Sequence, residues 1–164
     1  MTYKLDENEY PCDRRFKAAV STLNQYLKAY NIAIYKKFGE DGLELIAQIW
    51  SDMAERFFPT SFEAMGLEGD GPKEIAEWFA KADAVMGYDT DLFVLSENKA
   101  GFRINKCPWF EEPSPEGEQI CSKGVIAFEK RAAKLLNPEI KVSLGKFFHK
   151  GDACCEYIFE IPEK

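Results

Sequence analysis

The chain has 164 residues, a formal net charge of −7 and 14% aromatic residues, which is enough for one domain with a substantial core. The acidic balance and the absence of any dense basic grouping argue against a nucleic-acid partner. No apolar run is long enough to span a bilayer, and the mixed, charged residues 1–7 do not resemble a secretory signal, so a cytoplasmic location with no membrane partner is expected.

Three amphipathic helices are predicted in the first half. The first covers about residues 13–37, with Phe16, Val20, Leu23, Leu27, Tyr30 and Ile34 on one stripe and Asn24, Lys28 and Asn31 off it. Gly39 ends it. The stripe suits core packing first; a seam this regular could also seat the same helix of a second copy, giving a homodimer. The second helix starts at Asp41 or Gly42 and is expected to stop before Pro59, with Ile46, Ile49, Met53 and Phe57 as its stripe and Trp50 widening it. The third has Asp70 as candidate cap, Pro72 in its first turn, Ile75, Phe79, Ala82 and Met86 on its stripe, and Gly87 after its end. None carries an HExxH, a glycine-rich phosphate loop or a GxSxG. Residues 1–87 therefore read as a helical half: scaffold, and one wall of a pocket.

The pattern changes at Tyr88. Strands are predicted at residues 91–97 and 102–107, joined by the turn residues 98–101, with Phe102 and Ile104 on one face and Arg103 and Asn105 on the other. A fourth helix follows, capped by Ser114, with Pro115 in its first position and Glu116 and Glu118 favouring its positive end. Cys121, Val125, Phe128, Ala132 and Leu135 share its buried face, and Asn137-Pro138 stops it. Two further strands, at 140–148 and 153–161, are joined by a turn at 149–152. The order predicts an α+β fold in a single domain, 1–164: N-terminal helices, then β-β-α-β-β, with an antiparallel sheet covered by helices.

Four of the five cysteines lie in residues 107–155, within the second half, 88–164. The odd count in a cytoplasmic-looking chain does not suggest disulfides, and Cys12 reads as a small buried hydrophobe. On the last strand Cys155 shares a face with Tyr157, Phe159 and Ile161, whereas Cys154 shares one with Glu156, Ile158 and Glu160. An enclosed site would therefore use Cys155. The candidate site is Cys107, Cys121 and Cys155, supported by Glu156 and Asp152.

Cys107-Pro108, the mid-helix Cys121, Asn137-Pro138 and the closing Gly151-Asp152-x-x-Cys155-Glu156 resemble the L-2-amino-thiazoline-4-carboxylic acid hydrolase-like family. The GDxxC ending and the ββαββ tail also resemble the 4-vinyl-reductase type of small-ligand-binding domain. The first resemblance implies a hydrolase-like protein that opens the ring of a small cyclic amino acid of the thiazoline carboxylate type. The second implies a non-enzymatic sensor domain that binds a small ligand or a metal.

Read without either family, the residues allow three chemistries. Thiolates of Cys107, Cys121 and Cys155 could hold zinc or an iron centre, although no CxxC pair is present. Cys121 near a helix start could instead be a nucleophile, with Glu156, Asp152 or His149 as acid or base. Or the thiols only pack, with His149 a solvated turn residue and Asp152 bonding its own backbone.

Overall fold

The computed structural model describes residues 11–163; residues 1–7, from which the location was read, lie outside them. Helix α1 (Cys12–Phe38) and helix α2 (Glu40–Ala64) are joined by Gly39 alone. Its φ of 60° lies in the left-handed region that a side chain disfavours, and its N–H donates to Tyr35 O at 2.8 Å.

The inward face of α1 is not the apolar stripe. Its buried residues are Asn24 and Asn31, while Phe16, Leu23 and Tyr30 are 46%, 44% and 65% exposed. Asn24 Oδ1 accepts hydrogen bonds from Tyr88 Oη and from Trp109 Nε1, the latter at 3.1 Å. These partners lie far along the chain, and they turn α1 so that Phe16, Tyr26 and Tyr30 face outward, while Ile32, Ile34 and Tyr35 stay half-buried against a smaller core. Cys12, expected to be buried, is exposed.

Helix α2 does not stop before Pro59 but runs through it. Two features hold the turn after the proline. Ser61 Oγ donates to Phe57 O at 2.6 Å, and Phe58 packs edge-on against Trp78 with ring centroids 4.9 Å apart. Tertiary packing here overrides the proline's local penalty. The buried residues of α2 include Leu43, Ile46, Ala54 and Phe58, so its inward face is also rotated from the expected one, leaving Ile49 and Phe57 exposed. Helix α3 (Pro72–Val85) begins after Gly71 rather than Asp70, with Pro72 in its first position, and buries Ile75, Trp78 and Phe79.

Strands β1 (Thr90–Ser96) and β2 (Lys99–Ile104) form a hairpin, as expected, but with a tighter turn: Lys99, Ala100 and Gly101, read as turn residues, pair within β2, which ends at Ile104. The fourth helical stretch has three parts: α4 (Pro115–Gln119), a π-turn over Ile120–Val125, and α5 (Ala127–Leu136). Ser114 Oγ accepts the Gly117 N–H at 3.0 Å, as its capping position predicts. The π-turn was not expected, and it inserts an extra residue into the helical repeat. Asn137 ends the stretch, its Oδ1 accepting the Glu139 N–H at 2.9 Å.

Strands β3 (Lys141–Leu144) and β4 (Cys155–Glu160) complete a four-stranded antiparallel sheet of order β1-β2-β4-β3. The fold is thus α+β with helices over the sheet. Phe102 lies opposite Tyr157 and Ala100 opposite Phe159, and these four pack with Ile75 and Phe79 of α3 in the main core. A smaller core joins Leu43 and Ile46 to Ile120 of the π-turn.

Candidate functional site: an apolar pocket between helices and sheet

The sheet does not close fully against α1, α2 and the π-turn. A cavity of about 420 Å³ remains between them, within the ~300–1,000 Å³ range of small-molecule sites. Leu23 and Leu27 of α1, Trp50, Met53 and Phe57 of α2, and Ala82 of α3 form its helical walls; Cys155 and Tyr157 of β4 form the sheet side. Trp50, Trp78 and Trp109, the chain's three tryptophans, all line it. No lysine or arginine is among the described residues of the wall.

Cys107, Cys121 and Cys155 all line this cavity. Cys107 lies in the bend after β2, where its Sγ accepts the Phe110 N–H at 3.4 Å; Cys121 lies in the π-turn; Cys155 opens β4. Cys154 is buried but does not line the cavity. The thiols border one space without forming a cluster: among the described residues, no group of three or more His, Cys, Asp or Glu side chains could hold a metal ion. The expected zinc or iron centre therefore does not fit this donor set.

Nucleophilic chemistry fits Cys121 and Cys155 no better. Burial pushes the Cys121 thiol well above its ordinary value, and the nearby acidic groups Cys107, Cys155 and Glu129 add to the shift. The position lies beyond the first turn of the helical stretch, where the helix start no longer favours a thiolate. Burial likewise raises Cys155 to about 11, against a backbone hydrogen bond from Phe148.

The two supporting carboxylates lie elsewhere. Glu156 is opposite Arg103 in the β2–β4 register, on the sheet face away from the cavity, where it accepts from Arg103 Nη2 at 2.7 Å. Desolvation works to raise its carboxyl, but hydrogen bonds from Arg103 and the Lys146 N–H, with both positive charges, bring it below its usual value. Asp152 Oδ2 accepts the Phe147 N–H at 2.7 Å and so braces the turn before β4. Neither side chain lines the cavity.

Other polar groups do line it. His149, read as a solvated turn residue, is 8% exposed; its Nδ1 accepts the Ser114 N–H at 3.1 Å, and burial lowers its pKa against the charge of Glu118. A Cβ on Gly117 would stand 2.2 Å from the His149 ring, so the first turn of α4 needs glycine there. Glu129 and Asp83 were missed. Burial raises Glu129 to about 8, reinforced by the charge of Asp83 and opposed by its own backbone N–H and Lys130; burial raises Asp83 to about 7. The sequence did hold a signal for Glu129, which falls four residues after Val125 and eight after Cys121 on the inward helix face.

These two acids set a pH dependence. Both hold protons in the folded protein that the unfolded chain has released above its ordinary carboxylate values, so stability must fall as pH rises. His149 acts in the opposite sense, removing stability as pH drops below its ordinary 6.5. Between pH 6.5 and 8 the carboxyl effect dominates as the His149 effect fades, with a slope of up to about 1.4 kcal/mol per pH unit for each bound proton. Urea unfolding across that window should show the fall, and Glu129→Gln should reduce the slope. An unchanged slope in the variant would assign the effect elsewhere.

No protein-family model matches the chain, and no curated protein matches it. Among solved structures it is similar to a trafficking protein particle complex subunit 3 from Naegleria fowleri covalently bound to palmitic acid. The TM-score is 0.66 at 16% identity, over 90% of this chain and 97% of that one. This likeness is one of fold. It corrects the hydrolase-like and sensor readings taken from the sequence: a solved protein of this architecture is a trafficking-complex subunit, not a ring-opening hydrolase or metal sensor, and among the described residues no group of three or more His, Cys, Asp or Glu side chains could hold a metal ion.

Proposed function

We propose that this chain is a trafficking-particle-type subunit whose interior pocket holds one long acyl chain. The observation that carries the proposal is the cavity itself: about 420 Å³, walled by Leu, Met, Phe and Trp side chains, with no cationic group among its described lining residues. Each methylene moved from water into such a wall contributes about 0.8 kcal/mol, so an extended hydrocarbon suits it better than a compact polar amino acid. The palmitic acid of the Naegleria subunit is a ligand of the same class.

The three wall tryptophans supply the test. A conjugated polyene fatty-acyl probe that absorbs where indole emits should show saturable energy transfer from the protein, reaching one probe per chain. No transfer at saturating probe would end the proposal.

Three sequence expectations belong to the same proposal. The cytoplasmic location goes with a trafficking role, and no helix among the described residues is long and apolar enough to cross a membrane. The 4-vinyl-reductase-like character of the tail is supported by its order of elements, β1-β2-α4-α5-β3-β4; kinship with the hydrolase-like family is proposed as descent only, without turnover. The homodimer is supported by the outward face of α1, where Tyr26 and Tyr30 stack with centroids 6.2 Å apart while 58% and 65% exposed. Leu23 and Leu27 line the pocket and would confuse a test of that face. Serine at both Tyr26 and Tyr30 should instead halve the mass seen by light scattering, with helix content and probe binding unchanged. A wild-type chain that runs as a monomer would remove the dimer.

A further inference from the structure

The cavity wall is mostly apolar, and three buried polar atoms of its described lining residues lack a hydrogen-bond partner: Trp78 Nε1, Glu129 Oε2 and His149 Nε2, the first two on neighbouring side chains. Trp78 is 4% exposed and its Nε1 has no hydrogen-bond partner; Glu129 is 8% exposed and its Oε2 has none. Trp78 stacks on Phe128, the residue before Glu129, with centroids 6.2 Å apart, and both polar side chains line the cavity. A buried polar atom left unpaired costs about 1–3 kcal/mol, so a ligand that supplies the missing partner gains at this spot.

We propose that Glu129 and Trp78 form a hydrogen-bonding subsite for an uncharged oxygen of the bound lipid, such as the carbonyl of an acyl ester or thioester. This deepens the acyl-chain reading and rests on it. The indole N–H can only donate, which calls for an acceptor on the ligand. A carboxylate is the wrong acceptor: the described wall holds no lysine or arginine to balance it, and two acidic side chains, Asp83 and Glu129, already share the space. Burial keeps Glu129 protonated through neutral pH, so it too can donate to a neutral carbonyl. The ligand would therefore enter as an ester-type acyl group rather than as a free fatty-acid anion.

Three ligands of equal chain length separate the possibilities: hexadecane, methyl hexadecanoate and hexadecanoate, titrated into the full chain at neutral pH and followed by tryptophan emission. The ester should bind about five- to tenfold tighter than the alkane, from one or two added hydrogen bonds, and tighter than the carboxylate. Glu129→Leu should bring ester binding at least severalfold closer to the alkane level while alkane binding persists. Should that variant fail to fold, Trp78→Phe removes the other donor and leaves Trp50 and Trp109 as reporters. Equal binding of ester and alkane by the wild type, or preference for the carboxylate, would overturn the subsite and leave the pocket standing. Failure of all three to bind would overturn the pocket reading, and the subsite with it.

Discussion

Alanine at Phe102 is expected to lower folding stability by about 3–5 kcal/mol, a large part of what a domain of this size possesses. Phe102 is fully buried at the centre of β2, and its ring stacks on three others: Tyr157 at 4.9 Å, Phe79 at 5.1 Å and Phe159 at 6.2 Å. These rings come from α3 and β4, so the side chain ties the helical layer to two paired strands. Truncation removes both its transfer free energy and its contacts, and the strand backbone around it cannot collapse into the gap. Urea unfolding of the variant measures the loss directly. A cost below about 1 kcal/mol would mean that the helices and sheet do not meet through this ring.

Closing the pocket should abolish acyl binding without unfolding the chain. Ala82 of α3 borders the cavity, so tryptophan at that position would place an indole in the space proposed for the hydrocarbon. Met53→Trp fills it from α2 and guards against a local packing fault at either site. Both variants should lose at least about a hundredfold in affinity for an acyl probe, roughly the loss of three or four buried methylenes at about 0.8 kcal/mol each. Far-UV circular dichroism should stay unchanged. Undiminished binding in both folded variants would put the lipid on the surface instead.

What could be read from the sequence divides along a physical line. Helix and turn boundaries set by local chemistry are legible: Gly39 at a positive φ, Pro72 in a first helical position, Ser114 accepting the Gly117 N–H. Orientations set by distant partners are not. The face of α1 follows from Asn24 bonding Tyr88 and Trp109, whose proximity only the folded chain creates. The passage of α2 through Pro59 depends on Phe58 meeting Trp78, and the π-turn has no sequence signature of its own.

The site divides in the same way. Three thiols on three separate elements do border one cavity, but their distance from any metal-binding arrangement could not be judged from spacing. Glu156 is different, because strand alternation alone places it on the opposite face from Cys155, and the β2–β4 register bears that out. Adjacency to Cys155 in sequence does not override the two-residue period of the strand. The buried Asp83 and Glu129 escaped notice because acidic residues on a helix usually mark its solvated side.

Occupancy of the pocket by a single acyl chain can be weighed by native mass spectrometry of the full chain, after incubation with excess methyl hexadecanoate and removal of unbound lipid. A species heavier by one ligand is expected, absent from the Ala82→Trp and Met53→Trp variants. A wild-type chain that stays at its unliganded mass, or variants that carry the ligand equally well, would contradict it.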